Sequence, residues 1–191
     1  MELQHCNVKI FLSELTDSAL EAYIDVFHGW IQEQKTDELL IDVADYRHVP
    51  HGPAVILVGH EADYVVDRTD GRTGLLYNRK APLEGLHRDR IRQALRAIIR
   101  ACQKLAGEPA LSSSFAVRGD EFEFMVNDRL IAPNTPETFE AIAPEIRAVC
   151  DELFGAEGYT LIHDTDPRKR FTVRVRLLQP FEVAELAAKL V

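Results

Sequence analysis

Asp63-Tyr64-Val65-Val66-Asp67-Arg68 and Thr73-Gly74-Leu75-Leu76-Tyr77-Asn78 flank the tetrapeptide Thr69-Asp70-Gly71-Arg72. Asp-Gly between two strand-like runs signals a hairpin, because a tight primed turn needs positive φ at its central residues, which Gly adopts freely and Asp tolerates. Antiparallel pairing is therefore expected at the middle of the chain. Beyond the hairpin, Ile91, Ala94, Leu95, Ile98, Cys102 and Leu105 recur at helical spacing and predict a helix from about His87 to Leu105, ended by Gly107.

Upstream, Ala54 to Val58 and Leu39 to Val43 read as short buried strands, and Val8 to Leu12 as an opening strand. Between them Ser18 and Glu21 have capping-box spacing, and Leu20, Ile24, Phe27 and Ile31, with Tyr23 and Trp30 alongside, mark one buried helical face. Downstream, Ser114 to Val117 and Glu121 to Val126 are strand candidates. Thr135 and Pro136 then open a helix that Pro144 is expected to kink or split. In the strand pair Tyr159 to His163 and Phe171 to Leu178, Phe171, Val173, Val175 and Leu177 alternate with Thr172, Arg174 and Arg176. Glu121 and Glu123 are expected to face Arg174 and Arg176 if the two strands are neighbours. Pro180 precedes a terminal helix packed through Phe181, Ala184, Ala187 and Leu190.

The reading is a single α+β domain over residues 1–191, a largely antiparallel sheet with helices packed on it. A strand-strand-helix unit is a candidate for internal duplication, with halves 54–107 and 112–155. The series Ala81-Pro82, Cys102, Leu105, Gly107 is echoed by Ala132-Pro133, Cys150, Leu153, Gly155, the last three at a constant offset.

The chain of 191 residues is 46% hydrophobic and 28% charged, with a formal charge of −9. That composition is globular, and the negative balance disfavours nucleic acid and anionic membrane as partners. Cys6, Cys102 and Cys150 are odd in number and widely spaced, which does not describe a disulfide framework and suits a reducing cytoplasm. Met1-Glu2-Leu3-Gln4-His5 does not begin a signal sequence, and no apolar run is long enough to span a membrane. Cys102 and Cys150 fall on core-facing helical positions, leaving Cys6 as the one thiol expected at the surface.

The densest group of reactive side chains is Tyr46-Arg47-His48-Val49-Pro50-His51-Gly52-Pro53 and, after the apolar run, Gly59-His60-Glu61. His48, His51, His60 and Glu61 are the candidate ligands of a divalent metal. Neutral imidazoles suit zinc, iron, nickel or copper, and Glu61 has the chemistry to orient a metal-bound water. The same four residues are the catalytic candidates of a His-dependent hydrolase, with Asp42, Asp45 or Asp67 as orienting carboxylate. Against this stands their spacing, which matches no helix-borne His-Glu-x-x-His pair, and a solvated turn explains the segment equally.

Tyr77, Asn78 and Arg79, and likewise Asn127, Asp128 and Arg129, follow strand-like segments and are candidates to line a shared polar cleft; residues of these types also build turns for local reasons. Arg88, Arg92, Arg96, Arg100 and Lys104 wind along one helix as an anion stripe or a solvated face, and Arg168-Lys169-Arg170 reads as a hydrated loop rather than an anion clamp. The function expected is a cytosolic binding or assembly module, a homodimer being one form it allows. Its polar strand-end loops recognise a small molecule or protein, with no cofactor required. The His-dependent or metal-assisted hydrolase is the alternative.

Overall fold

Val8, Ile10 and Leu12 alternate with Asn7, Lys9 and Phe11 along the first strand, β1 (Cys6–Leu12), and both sets are buried. Such a strand belongs at the centre of a sheet. β1 pairs antiparallel with β5 (Gly74–Arg79) on one side and β6 (Val117–Val126) on the other. The structure, a computed structural model, describes residues 2–49 and 51–190. Eight strands among the described residues form one antiparallel sheet in the order β2-β3-β4-β5-β1-β6-β8-β7, where β2 is Leu40–Asp45, β3 Pro53–Gly59, β4 Ala62–Asp67, β7 Tyr159–His163 and β8 Phe171–Leu177.

Helices α1 (Asp17–Glu33), α2 (His87–Ala106), α3 (Pro136–Phe154) and α4 (Val183–Lys189) pack with one face of the sheet, where Val8, Ile10, Leu75, Tyr77, Phe122, Phe124, Val173 and Val175 enter the main core. The expected face of α2 is buried throughout. No helix among the described residues is long and apolar enough to cross a membrane. The other sheet face carries Lys9, Phe11, Leu76, Glu121, Glu123, Met125, Thr172 and Arg174, and on it Val65, Leu76 and Met125 make a small second apolar cluster. The pairing of acidic and basic strands is as expected, with Glu121 opposite Arg176 and Glu123 opposite Arg174.

Several local expectations change. The cap of α1 is Thr16, whose hydroxyl accepts from the Ala19 N–H at 3.2 Å, and Ser18 lies inside the first turn. Asp17 then sits where the positive end of the helix dipole favours a carboxylate. The buried stripe runs through Leu20, Tyr23, Phe27 and Trp30, with Ile24 and Ile31 at its margin. β2, expected as a buried strand, is an edge strand with Ile41 and Asp42 exposed, because apolar content does not say whether a strand has neighbours on both sides. Asp42 Oδ1 accepts the Val43 N–H at 2.8 Å, so that donor is taken and the edge is less ready to template another strand.

The hairpin forms, with Asp70 at φ 60 and Gly71 at φ 67, but the strands separate after Asp67 opposite Gly74 and the connection is a wider loop from Arg68 to Thr73. Pro144 does not break α3, which runs unbroken from Pro136 to Phe154. Pro144 and Glu140 both face solvent, so water can take the Glu140 carbonyl that has lost its helical donor. Ser114 to Val117 and Glu121 to Val126 are not two strands: β6 is continuous from Val117 to Val126, with Gly119 at φ 71 within it. Residues 54–107 therefore hold three strands and a helix, whereas 112–155 hold one strand and a helix. The terminal helix is anchored by Leu186 and Leu190 rather than by Ala184. Cys6 is buried like Cys102 and Cys150, and desolvation pushes its thiol up to about 12, so no surface thiol is offered.

Candidate functional site

His48 and His51 lie in the connection from β2 to β3, whereas His60 and Glu61 form the turn from β3 to β4. The seven residues of β3 separate the two pairs, a distance of roughly 20 Å at ~3.3 Å per residue. The four side chains do not share one centre within the chain. His48 stacks on Tyr46 with centroids 6.1 Å apart, and His51 is exposed at φ 55. His60 Nδ1 lies 3.3 Å from Glu61 Oε1, and Glu61 Oε2 accepts the Leu39 N–H at 3.2 Å, which fastens the turn to β2. Among the described residues no group of three or more His, Cys, Asp or Glu side chains is placed to hold a metal ion. Pro50 lies outside the described residues.

The six strand-end candidates divide. Asn78 and Asn127 come together on the open face: Asn78 Oδ1 accepts from Asn7 Nδ2 at 2.8 Å and from Asn127 Nδ2 at 3.4 Å, and Asn78 Nδ2 donates to Asp63 at 3.2 Å. Tyr77 points the other way, into the core. Its hydroxyl donates to Glu38 at 2.9 Å and accepts from Gln93 at 2.9 Å, and Glu38 accepts a second bond from Tyr64 at 2.8 Å. Arg79 folds back on the Ala81 carbonyl at 2.8 Å. Asp128 Oδ1 accepts the Leu130 and Ile131 N–H groups, a local turn. Only Arg129 reaches the mouth of a cavity, where it donates to the Arg168 carbonyl.

That cavity, of about 400 Å³, occupies the open face of the sheet. Its floor is Leu76, Met125 and the buried ion pair Lys9–Asp67, with charged atoms 2.6 Å apart. Arg72 stacks its guanidinium 3.7 Å from the Phe11 ring centre and pairs with Glu121 and Glu123, and Arg174 meets the same Glu123 at 3.2 Å. Two loops close over the floor from opposite ends of β1. The β4–β5 loop leaves the sheet where Gly74 opposes Phe11, and the β7–β8 loop where Phe171 opposes Val126, itself opposite Cys6. Lys169 joins them, bonding Asp70 of the first loop at 2.7 Å and Asp164 of its own at 3.1 Å.

The β7–β8 loop is held from below. Asn134, just before α3, donates to the Asp164 and Asp166 carbonyls at 2.7 and 2.8 Å and meets His163 Nε2 at 2.9 Å. The His163 ring lies parallel to Phe139 with centroids 5.1 Å apart, and its burial there lowers its pKa. Asp166 is held down to about 2 by the Arg168 side chain and the Arg168 N–H.

Seven Lys or Arg side chains line the cavity, and five of them pair with the carboxylates of Asp67, Asp70, Glu121, Glu123, Asp164 and Asp166, in a chain whose formal charge is −9. Among the described residues no carboxylate lies within ion-pair distance of Arg129 or Arg170. Arg170 bonds only the Asn127 side chain at 3.4 Å and the Met125 sulfur at 3.9 Å. No protein-family model matches the chain, and no curated protein matches it.

Of the loop expected to be hydrated, Arg168 is indeed exposed to solvent, whereas Lys169 and Arg170 are half-buried at the rim of the cleft. The signal available in sequence was Lys9 within the apolar run Val8 to Leu12, in phase with Arg174 and Glu123 only once β1, β6 and β8 are known to be neighbours. Two cations of the α2 stripe are neutralised in place, Arg92 by Glu152 and Arg100 by Asp37 at 3.0 Å, and Lys104 donates to the Lys35 carbonyl.

Proposed function

We propose that this chain is a binding module that takes a small anionic ligand into the cleft on the open face of its sheet. The observation that carries the reading is the pair of arginines at the mouth of the cleft, Arg129 and Arg170, left without carboxylates while the other cations of the cleft are matched. The volume suits a small molecule, and a few polar groups above an apolar floor are what such sites use to orient a ligand. The cleft is complete within one chain, so the reading holds equally for a monomer or a homodimer. Three thiols without disulfides favour the cytoplasm as its setting. The alternative hydrolase centred on His48, His51, His60 and Glu61 gains no support from side chains divided between the two ends of β3.

A thermal-shift screen of anionic, neutral and cationic metabolites tests the reading. Anions should raise the melting temperature by mass action on the folded state, and Arg170→Glu should abolish the rise. Stabilisation by neutral or cationic compounds alone would refute it.

A further inference from the structure

We infer that the ligand's anionic group is a phosphate monoester, gripped between Arg129 and Arg170 at the loop end of the cleft; this rests on the anion-binding reading above. The other cations of the cleft are each already matched: Lys9 by Asp67, Arg72 by Glu121 and Glu123, Arg174 by Glu123, Arg168 by Asp166, and Lys169 by Asp70 and Asp164. Arg129 and Arg170 are the two that remain, and each holds the other's loop. Arg129 donates to the Arg168 carbonyl of the β7–β8 loop, and Arg170 donates to Asn127, two residues before Arg129. These bonds orient both guanidinium groups and leave most of the five N–H donors of each unspent.

Two unneutralised guanidiniums lining one cavity call for two negative charges in one compact group. A phosphate monoester carries close to two charges at neutral pH and presents three acceptor oxygens, enough for a fork from each arginine. A single carboxylate brings one charge and two oxygens and saturates one fork. A dicarboxylate has the charge but divides it between two groups. Behind the arginines the floor offers the apolar side chains of Met125 and Leu76 beside the mutually neutralised Lys9–Asp67 pair, so a small apolar body on the ester has a surface to lie on.

Titration calorimetry with phenyl phosphate, inorganic phosphate and malonate tests the inference on the full chain. Phenyl phosphate is expected to bind most tightly, and Arg129→Ala/Arg170→Ala to weaken it by about tenfold or more, the loss of charge-assisted hydrogen bonds. The double Lys variant, which keeps the charge and loses the forks, is expected to weaken it as well and covers the case in which the Ala variant does not fold. Malonate binding as tightly as phenyl phosphate would overturn the phosphate assignment and leave the anion-binding reading standing. Failure of all three anions to bind would overturn both. Phenyl phosphate affinity unchanged in a folded double variant would overturn the arginine grip.

Discussion

Lys9 and Asp67 lie beneath the cleft with side chains 5% and 8% exposed. Asp67 also accepts from the Thr69 hydroxyl at 2.7 Å, which ties the start of the hairpin loop to the floor. Removing one partner strands the other charge out of water. Asp67→Ala is therefore expected to cost about 3–5 kcal/mol in urea unfolding, whereas Lys9→Met/Asp67→Leu should recover most of that loss. A cost near zero for the single variant would mean that the pair is hydrated. His163 supplies a second expectation. Burial against Phe139 lowers its pKa below the ordinary 6.5, so the unfolded chain binds its proton first as pH falls. The stability it contributes is full above about pH 6.5 and is lost progressively as pH falls through the lower folded value. His163→Gln should flatten the fall in urea midpoint between about pH 7 and 5. An unchanged slope would assign that fall to other groups. Asp166, held down to about 2, gives up its contribution only at more acid pH, as it is protonated.

Ile98 is fully buried on α2, and Ile98→Ala is expected to destabilise by about 2–5 kcal/mol in chemical denaturation, the cost of the lost methyl groups and the cavity left behind. A loss under about 0.5 kcal/mol, ordinary for a surface position, would be incompatible with that burial. At this scale most of the protein was legible, because α2, α3, β7 and β8 bury one face each and their periods stand in the residue order. The misreadings were of boundary and context. Thr16 and Ser18 are both competent caps, and helix geometry chose the earlier one. Pro144 is harmless because its carbonyl partner faces water, which a proline in a sequence does not disclose. Gly119, at positive φ, is carried inside β6, which spans the interval between the two strand candidates.

Across the molecule negative charge dominates, while the cleft holds two arginines without carboxylates, and Asp70 and Lys169 span its mouth. Their side chains are 58% and 42% exposed, and such an ion pair contributes little to stability. Asp70→Asn should therefore leave the melting temperature within about 2 °C while tightening phenyl phosphate binding, since it removes a carboxylate from the mouth. Weaker binding would show that the bridge assembles the cleft instead of guarding it.

By itself the residue order determined the α+β class, the hairpin at Asp70-Gly71, the buried face of α2 and the alternation that lets Glu121 and Glu123 face Arg174 and Arg176 once their strands are neighbours. These depend on periods of two or 3.6 residues and on local turn chemistry. Of the site it disclosed fragments: Asn78, Asn127 and Arg129 were marked, and the His48 to Glu61 segment drew more weight than its geometry supports. Only the tertiary structure decided that β1 lies between β5 and β6, which brings Lys9, Asp67, Arg72, Glu123 and Arg174 onto one surface. Only there do the loops at Asp70 and Lys169, 99 residues apart in the chain, meet over it. Strand order is a long-range property fixed by packing and chain closure, and residues that converge through it carry no mark of their meeting in local sequence.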